Sequence, residues 1–582
     1  MLAFIAEYFV PILFLGLLVF LLSGVPVALG LAATGLVFGT LGMSVGLFEA
    51  NLFHALPMRV FSVLQNEILL AIPFFTLMGI VLERSGMAED LLETVGQVFG
   101  PLRGGIAIAV VLVGALLAAT TGVIAAAVIS MGLIALPIML RYGYNRSIAM
   151  GTITASGTLA QALPPSLVLI VLADQLGRSV GDMYSAALLP GLMLVGVYIL
   201  FIVAVAFVRP SWVPALPPEA LIYKEANGAT GHVSLLVLVV LCAAAGLAWS
   251  TVHDQIVSGW MQREMAAPAD EIFISSLTVA SFVGLLLASA NRLSGAQLLS
   301  KLAEQVTFVM IPPLVLIFLV LGTIFLGIAT PTEGGAMGAV GALVMAAVRR
   351  RITFDLLRQA LNTTATLSCF VVFILIAATI FSFTFNAADG HIWVESLFDG
   401  LPGGEIGFLL VVNLLVFVLG MFLDFFEIAF IVIPMLAPVA EKMGIDLIWF
   451  GIIIALNLQT SFLTPPFGFA LFFLRSVAAK NDYDDRVTGK RISAVTTEQI
   501  YTGSIAFIFL QLIVIALVVA FPGITSAGST DKVLLDEDEV MKVFEMQSSG
   551  PGGSDLMQGL EAPAPTIERD PTQDVLDASE RD

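Results

Sequence analysis

Two stretches of an otherwise apolar chain carry residue types suited to binding small ions. Residues 154–166 read TASGTLAQALPPS, and residues 457–469 read NLQTSFLTPPFGF. Each joins hydroxyl and amide side chains to two adjacent prolines. A proline removes one backbone N–H and clashes with the preceding helical turn, so Pro164–Pro165 and Pro465–Pro466 are expected to unwind the backbone. Unwound backbone at membrane depth is tolerated only inside protein or against a water-filled cavity. Bare carbonyls at such a break can hold a cation such as Na+. The N-terminus of the half-helix that follows can hold an anion through its dipole and free N–H groups. Ser156, Thr158 and Gln161 precede the first break; Asn457, Gln459, Thr460, Ser461 and Thr464 precede the second. All are hard oxygen ligands or neutral donors, with no soft metal ligand among them. The competing use of Ser, Thr and Gly in a membrane is close helix packing. Two such clusters, each beside a proline pair, favour a site for a carboxylate and a coupling sodium ion.

Two further interruptions precede these. AATTGVIAAAVISMG (118–132) reads as the tip of a helical hairpin, with Thr120, Thr121 and Gly122 at the turn. Its counterpart is GMFLDFFEIAFIVIP (420–434), where Asp424 and Glu427 stand between apolar flanks. An acid at membrane depth is expensive and is a functional candidate by default, here for handling a cation or a proton. Glu333, in ATPTEGGAMGAVG (329–341), opens a glycine-rich helix, where a carboxylate can cap free N–H groups or couple to an ion. The sequence lacks GxxxxGK[ST], so no nucleotide is expected to drive this chemistry. Cys242 and Cys369 lie in apolar runs and read as packing residues, and the four histidines form no metal-binding spacing.

These residues need long membrane helices to position them. The chain has 582 residues, 58% hydrophobic and 12% charged, with a mean hydropathy of +1.00. Soluble domains carry about 25% charge. Apolar runs of about 20 residues, each long enough to cross a bilayer, recur along most of the length. A β-barrel would need short alternating segments. The expectation is an all-α polytopic membrane protein whose first helix is retained, since residues 1–22 lack a basic leader and a cleavage site. MAEDLLETVGQVFG (87–100) and ITFDLLRQALNTT (352–364) read as amphipathic helices on the membrane surface or as solvated loops. Residues 531–582 hold 14 acids against 4 bases, half of the chain's net charge of −19, and are expected to be disordered.

The two halves repeat. With a shift of 301 residues, Pro137 falls on Pro438, Gly143 on Gly444, Pro164 on Pro465 and Pro165 on Pro466. The loop RYGYNR (141–146) is basic, and its partner EKMGID (441–446) is mainly acidic. Cytoplasmic loops favour Lys and Arg, so equivalent loops face opposite sides. That is an inverted repeat, the plan of many secondary transporters.

IPFFTLMGIVLERSGMAEDLL, TTGVIAAAVISMG, TASGTLAQALPPS, ATPTEGGAMGA, GMFLDFFEIAFIVIP and NLQTSFLTPPFGF together resemble the large membrane subunit (DctM type) of tripartite ATP-independent periplasmic (TRAP) transporters, over about residues 1–215 and 300–522. The resemblance implies an elevator-type transporter of the bacterial inner membrane, with a scaffold and a transport domain containing two re-entrant helical hairpins and discontinuous helices. It implies Na+-coupled uptake of organic acids delivered by a periplasmic substrate-binding protein (DctP type), with a separate small four-helix membrane subunit (DctQ type). Sodium and substrate sites map onto Ser156, Gly157, Thr158, Pro164, Asn457, Thr460, Thr464 and Pro465, with Thr121, Gly122 and Asp424 at the hairpin tips.

The organisation expected is then residues 1–66 as N-terminal scaffold helices and 67–215 as the first inverted repeat with its hairpin and broken helix. Residues 216–300 supply extra helices and a polar loop. Residues 301–365 are scaffold helices opening the second repeat, 366–522 the second repeat, and 523–582 the disordered tail. The extra helices and the tail depart from the family pattern. A single-subunit Na+/dicarboxylate symporter of the divalent-anion type is the alternative. That family carries Ser-Asn-Thr at its hairpin tips, where this chain has Ala-Ser-Gly-Thr and Gln-Thr-Ser. An enzyme is not expected: the sequence has no GxSG-like serine with a helical histidine and no paired membrane aspartates, as an intramembrane protease would need, and nothing suggests a sodium-pumping decarboxylase.

Overall fold

A computed structural model describes residues 6–49, 51–223, 231–261, 267–294, 298–398, 402–485 and 487–525. The acidic tail lies outside the described residues from 526 onward. The described residues are helical almost throughout. α1 (Phe9–Leu22) and α2 (Val27–Val45) precede a short amphipathic helix, α3 (Leu56–Leu64), which bends into α4 (Ala71–Arg84). After α5 (Met87–Phe99), the first hairpin is α6 (Gly105–Thr121) and α7 (Ile124–Arg141). The first broken segment is α8 (Arg146–Thr158) and α9 (Leu167–Gln175), followed by the long α10 (Val180–Val208). α11 (His232–His253) and α12 (Ala269–Ser294) form the extra pair, which packs on α13 (Lys301–Phe325). Next come α14 (Pro331–Val348), α15 (Phe354–Ala387) and α16 (Gly390–Phe398). The second hairpin is α17 (Gly404–Leu419) and α18 (Phe425–Lys442), the second broken segment α19 (Leu447–Ser461) and α20 (Phe469–Val477), and α21 (Thr497–Ala520) closes the fold.

The repeat extends to the helix caps. α7 and α18 begin and end at positions 301 apart. Each ends in a left-handed glycine, Gly143 at φ +80° and Gly444 at φ +79°. This is a conformation glycine adopts without penalty. Beyond each glycine the same closing bond forms, Tyr144 N–H to Met139 O and Ile445 N–H to Ala440 O, both 3.0 Å. The next residue caps the broken helix. Asn145 accepts from the Ile148 N–H, and Asp446 accepts from the N–H groups of Ile448 and Trp449.

The packing is reciprocal. α9 lies against α18, and α20 against α7; α8 lies against α21, and α19 against α10. Such exchange of equivalent contacts is the mark of a two-fold relation. Both broken segments cross from face to face. Asn145 N–H bonds Trp212 O (2.8 Å), just beyond the end of α10, and α9 ends beside the start of α10. The Trp449 indole bonds Val518 O (2.9 Å) at the end of α21, and Arg475 bonds Val495 O (2.6 Å) at its start. Between the hairpins the chain crosses by the broken pair α8–α9, then by α10, α11, α12, α13, α14 and α15. That is an odd number of crossings, so the two hairpins enter from opposite faces. One face gathers Arg141, Arg146, Arg209 and Arg349–Arg351 and is the cytoplasmic one. The other carries Asp174, Glu441 and Asp446.

Three expectations need correction. Residues 352–364 are not a separate surface piece but run into the first turns of the 34-residue α15, because the apolar run of 365–387 continues the same helix. α5 has the expected amphipathic pattern yet buries Leu91, Leu92 and Val95 against α6 and α13. Its apolar stripe meets protein instead of lipid. Cys369 is exposed on α15, and only Cys242 is partly enclosed; both are free thiols. An apolar run in a membrane has a lipid-facing side as well as a packed one.

A short β-ribbon, Tyr483–Asp484 paired with Arg491–Ile492, joins α20 to α21 on the cytoplasmic face. Asp485, at its turn, accepts from Thr488 Oγ1 (2.6 Å) and N–H (2.8 Å) and meets the Arg141 guanidinium at 3.0 Å. The Thr488 hydroxyl above all, together with Arg141, holds its carboxyl down at about 2. A depressed carboxyl stabilises the fold above its unfolded value, about 3.9, and that contribution is lost as pH falls toward 2. Asp485→Asn is expected to lower the melting temperature in detergent at neutral pH. It should also flatten the fall in stability between about pH 4 and 2. Identical melting curves for the variant and the parent would exclude this strap from the stability of the fold.

Candidate functional site

Both proline pairs break their helices where the sequence places the chemistry. α8 ends at Thr158, a single 3-10 turn covers Leu159–Gln161, and α9 restarts at Leu167. Ser166 ties this break together. Its hydroxyl donates to Ala160 O (2.7 Å) and accepts from the Val168 N–H (3.2 Å), capping α9. In the second repeat α19 ends at Ser461 and α20 restarts at Phe469. Here Thr464 Oγ1 donates to Thr460 O (3.0 Å), and Gly468 N–H returns to Thr464 O (2.9 Å). Both Pro–Pro bonds are cis.

The hairpins press on these breaks. A Cβ on Gly122 would lie 3.1 Å from the Leu167 nitrogen, so the first tip touches the N-terminus of α9. Gly122 has φ +59° and turns the chain there. Thr121 is the last residue of α6, and its side chain lies outside the described residues. Gly157 faces the start of α7, where a Cβ would meet Val128 Cγ2 at 2.4 Å and its nitrogen at 3.1 Å. Ser156 sits against Gly114 of α6. Its repeat partner Asn457 donates to Asn413 O of α17 at 2.6 Å, so equivalent residues address equivalent hairpin arms. At the second tip, Phe422 packs on Phe467 with ring centroids 4.9 Å apart, and Gly420 faces Ser461.

Ser156, Thr158, Gln161, Asn457, Gln459 and Thr460 are all buried. The 3-10 turn of the first break also packs on α19, which brings Gln161 and the second cluster to one region. The hydroxyls of Ser156, Thr158 and Thr460 donate to their own helix, to Ile153 O, Ala155 O and Leu456 O. Their lone pairs remain available as acceptors. Gln161 is 1% exposed, and neither its amide oxygen nor its amide nitrogen has a partner. Leaving such atoms unpaired costs about 1–3 kcal/mol each, and a buried orphan of this kind calls for a reason. Pro164 and Pro465 contribute no N–H, so the backbone at each break offers carbonyls in excess of donors.

Gln459 stands apart from the others. Its amide reaches the Tyr198 hydroxyl (3.4 Å), which also accepts from Gln511 (2.6 Å), so it points toward α10 and α21. Residues 457, 460, 461 and 464 share one helical face, and 459 does not. Asp424 is half-buried at the start of α18, and its N–H donates to the Glu427 carboxylate at 2.9 Å. Glu427 is therefore engaged in capping. Glu333 accepts from the Thr330 N–H (2.8 Å), while Thr330 Oγ1 accepts from the Glu333 N–H (3.3 Å), the capping arrangement of two reciprocal bonds. Asn413 and Tyr198 escaped the sequence reading. The signal available was a polar side chain inside an apolar span, where partners are obligatory.

Among the comparisons with known proteins, the family model for "Tripartite ATP-independent periplasmic transporter, DctM component" matches residues 14–524. The chain belongs to the DctM family. The C4-dicarboxylate TRAP transporter large permease protein DctM of Pseudomonas aeruginosa is 29% identical over 75% of this chain and 83% of its own. The corresponding protein of Rhodobacter capsulatus is 26% identical over 78% and 87%. The isethionate TRAP transporter permease protein DctMQ of Oleidesulfovibrio alaskensis is 26% identical over 82% of this chain and 62% of its own. A solved transporter, YdaH of Alcanivorax borkumensis, aligns with a TM-score of 0.49 and 13% identity over 82% of this chain and 90% of that one. Membership of the DctM family makes the chain a TRAP large permease subunit, a multi-pass protein of the bacterial inner membrane and a transporter component rather than an enzyme. It also selects the tripartite assignment over the single-subunit symporter.

The closeness of Gly157 to Val128 can be tested directly. Gly157→Ala is expected to lower stability in detergent by about 1–3 kcal/mol through overpacking against α7. Gly96→Ala, with nothing within 4 Å of its new methyl, should leave stability unchanged or raise it by up to about 1 kcal/mol. Equal melting temperatures for Gly157→Ala and the parent would contradict this packing.

Proposed function

We propose that this chain is the translocating subunit of a Na+-coupled importer of small organic acids. The observation that carries the reading is the pair of helices broken at equivalent repeat positions, the first of which buries the unpartnered Gln161 amide. The donor set fits both ligands. Hydroxyl, amide and carbonyl oxygens suit a hard monovalent cation, while amide N–H groups and the N-termini of α9 and α20 suit a carboxylate. Na+ would be held as co-transported cargo by Ser156, Gly157, Pro164, Thr460, Thr464 and Pro465, through side-chain or carbonyl oxygens, with Asp424 at the second tip. The acid would meet Thr121, Gly122, Ser156, Thr158, Gln161, Asn457 and Thr464. Gln459, turned toward Tyr198, would set the position of α19 from behind.

The relatives' names include C4-dicarboxylate, isethionate and 2,3-diketo-L-gulonate. All are small organic anions, which supports the same class here. A soluble binding protein of the DctP type would deliver the substrate, and a small four-helix subunit of the DctQ type would complete the complex. The hairpins and broken segments interlock through both repeats, a body suited to moving as one unit against the remaining helices in an elevator.

The test is uptake of radiolabelled organic acids into proteoliposomes containing the large and small subunits. Uptake is expected only with an inward Na+ gradient and the binding protein together. Accumulation without sodium, or without the soluble protein, overturns the reading. Thr460→Ala is expected to raise the half-saturating Na+ concentration about tenfold, the worth of one hydrogen bond to a charged group. An unaltered sodium titration would remove Thr460 from the ion site.

A further inference from the structure

A second cavity, of about 500 Å³, lies on the non-cytoplasmic side, away from the breaks. Its polar lining comes from three elements: Arg59 and Ser62 on α3, Gln175 at the end of α9, and Thr379, Ser382 and Asn386 on α15. Phe430 and Pro434 of α18 complete it. The cavity thus sits where the first broken segment and the second hairpin meet helices outside both.

Its charge is unusual for its surroundings. This face carries Asp174, Glu441 and Asp446, yet no carboxylate lines the cavity. Asp174, next to the lining residue Gln175, is already engaged, accepting from Asn66 Nδ2 (2.7 Å) and from Gln175 Nε2 (2.9 Å). The neighbouring cation, Arg178, pairs with Glu441 at 3.1 Å. Arg59 differs. Its carbonyl accepts from Ser62 Oγ (2.7 Å), but its guanidinium has no ion pair and no hydrogen bond among the described residues. A guanidinium presents a planar fork of donors that matches a carboxylate in two parallel bonds. Among the other donors, Ser62 and Thr379 donate to backbone carbonyls, Gln175 to Asp174 and Asn386 to Ser382 Oγ (3.4 Å), which leaves the Ser382 hydroxyl and the second amide hydrogen of Asn386 for an anionic oxygen.

We propose that this cavity is a capture site for a small organic carboxylate, with Arg59 clamping one carboxylate and Ser382 and Asn386 receiving a second polar group. The proposal rests on the reading of the chain as an organic-acid permease and adds an outer subsite to it. The anion is held here, at the seam between the hairpin side and the α3–α15 side, before it reaches the broken helices. The alternative use of Arg59 is as an anchor for the amphipathic α3 at the lipid interface. Such an anchor would not respond to substrate.

Two measurements separate these. In the reconstituted complex, Arg59→Gln is expected to raise KM for the transported acid about tenfold or more, with kcat changed less than about twofold, and Arg59→Lys to recover part of the loss. In the Cys242→Ala, Cys369→Ala background, Ser382→Cys should react from the outer face with an anionic, membrane-impermeant methanethiosulfonate. At least one of succinate, malate and 2-oxoglutarate should slow that reaction, and the protection should vanish with Arg59→Gln. An unchanged KM in Arg59→Gln, absence of protection by all three acids, or protection that survives loss of Arg59 overturns the capture site. Protection without sodium-driven uptake in the parent complex would instead retain the site and sink the proposed function.

Discussion

Everything in this fold follows from the need of backbone polar groups for partners in a place without water. An unsatisfied peptide group in hydrocarbon costs several kcal/mol, and each proline pair interrupts the hydrogen bonds of a helix at depth. The chain answers by burying the first break in protein and packing much of the second, where Pro466 and Phe467 stay exposed. Ser166 knots the first, Thr464 and Gly468 knot the second, and a hairpin tip closes on each. The glycines at these contacts are a consequence. With Val128 at 2.4 Å from a notional Cβ on Gly157, and Ser461 Oγ at 2.3 Å from one on Gly420, no larger residue fits without displacement.

That shelter is shared between repeats. The half-helix after the first break packs on the second hairpin, and the half-helix after the second break packs on the first. Residues that are 301 apart therefore do equivalent work in two oppositely oriented halves, as Ser156 against Gly114 and Asn457 beside Asn413 illustrate. A site assembled this way is drawn from both halves of the sequence, although each half is complete in its local design.

The breaks, the hairpins and the repeat were legible in the sequence because they depend on local chemistry: prolines that cannot donate, glycines at left-handed turns, and apolar runs long enough to cross. The direction in which a side chain points was not. Gln459 reads like its neighbours yet turns to Tyr198, since only the tertiary fold places α10 and α21 behind it. Cys369 lies in an apolar run and faces outward, because hydropathy does not separate lipid from protein as a neighbour. Residues 352–364 carry an amphipathic pattern, but continuity with the following run makes them the start of α15. Arg59 drew no notice at all, since a single arginine on a short amphipathic helix is ordinary until Ser382, Asn386 and Gln175 are seen around it.

The interlocking of the halves also bears on how the molecule is made. Ribosomes deliver residues 146–175 to the bilayer well before residues 425–477 exist. The first unwound segment then has its own hairpin beside it but lacks α18 and α19, the neighbours that α9 packs on. During that interval the nascent chain carries an incompletely walled defect in contact with lipid or with the insertion machinery. Biogenesis of such a permease is complete only when its last third has been synthesised and has slotted back against the first.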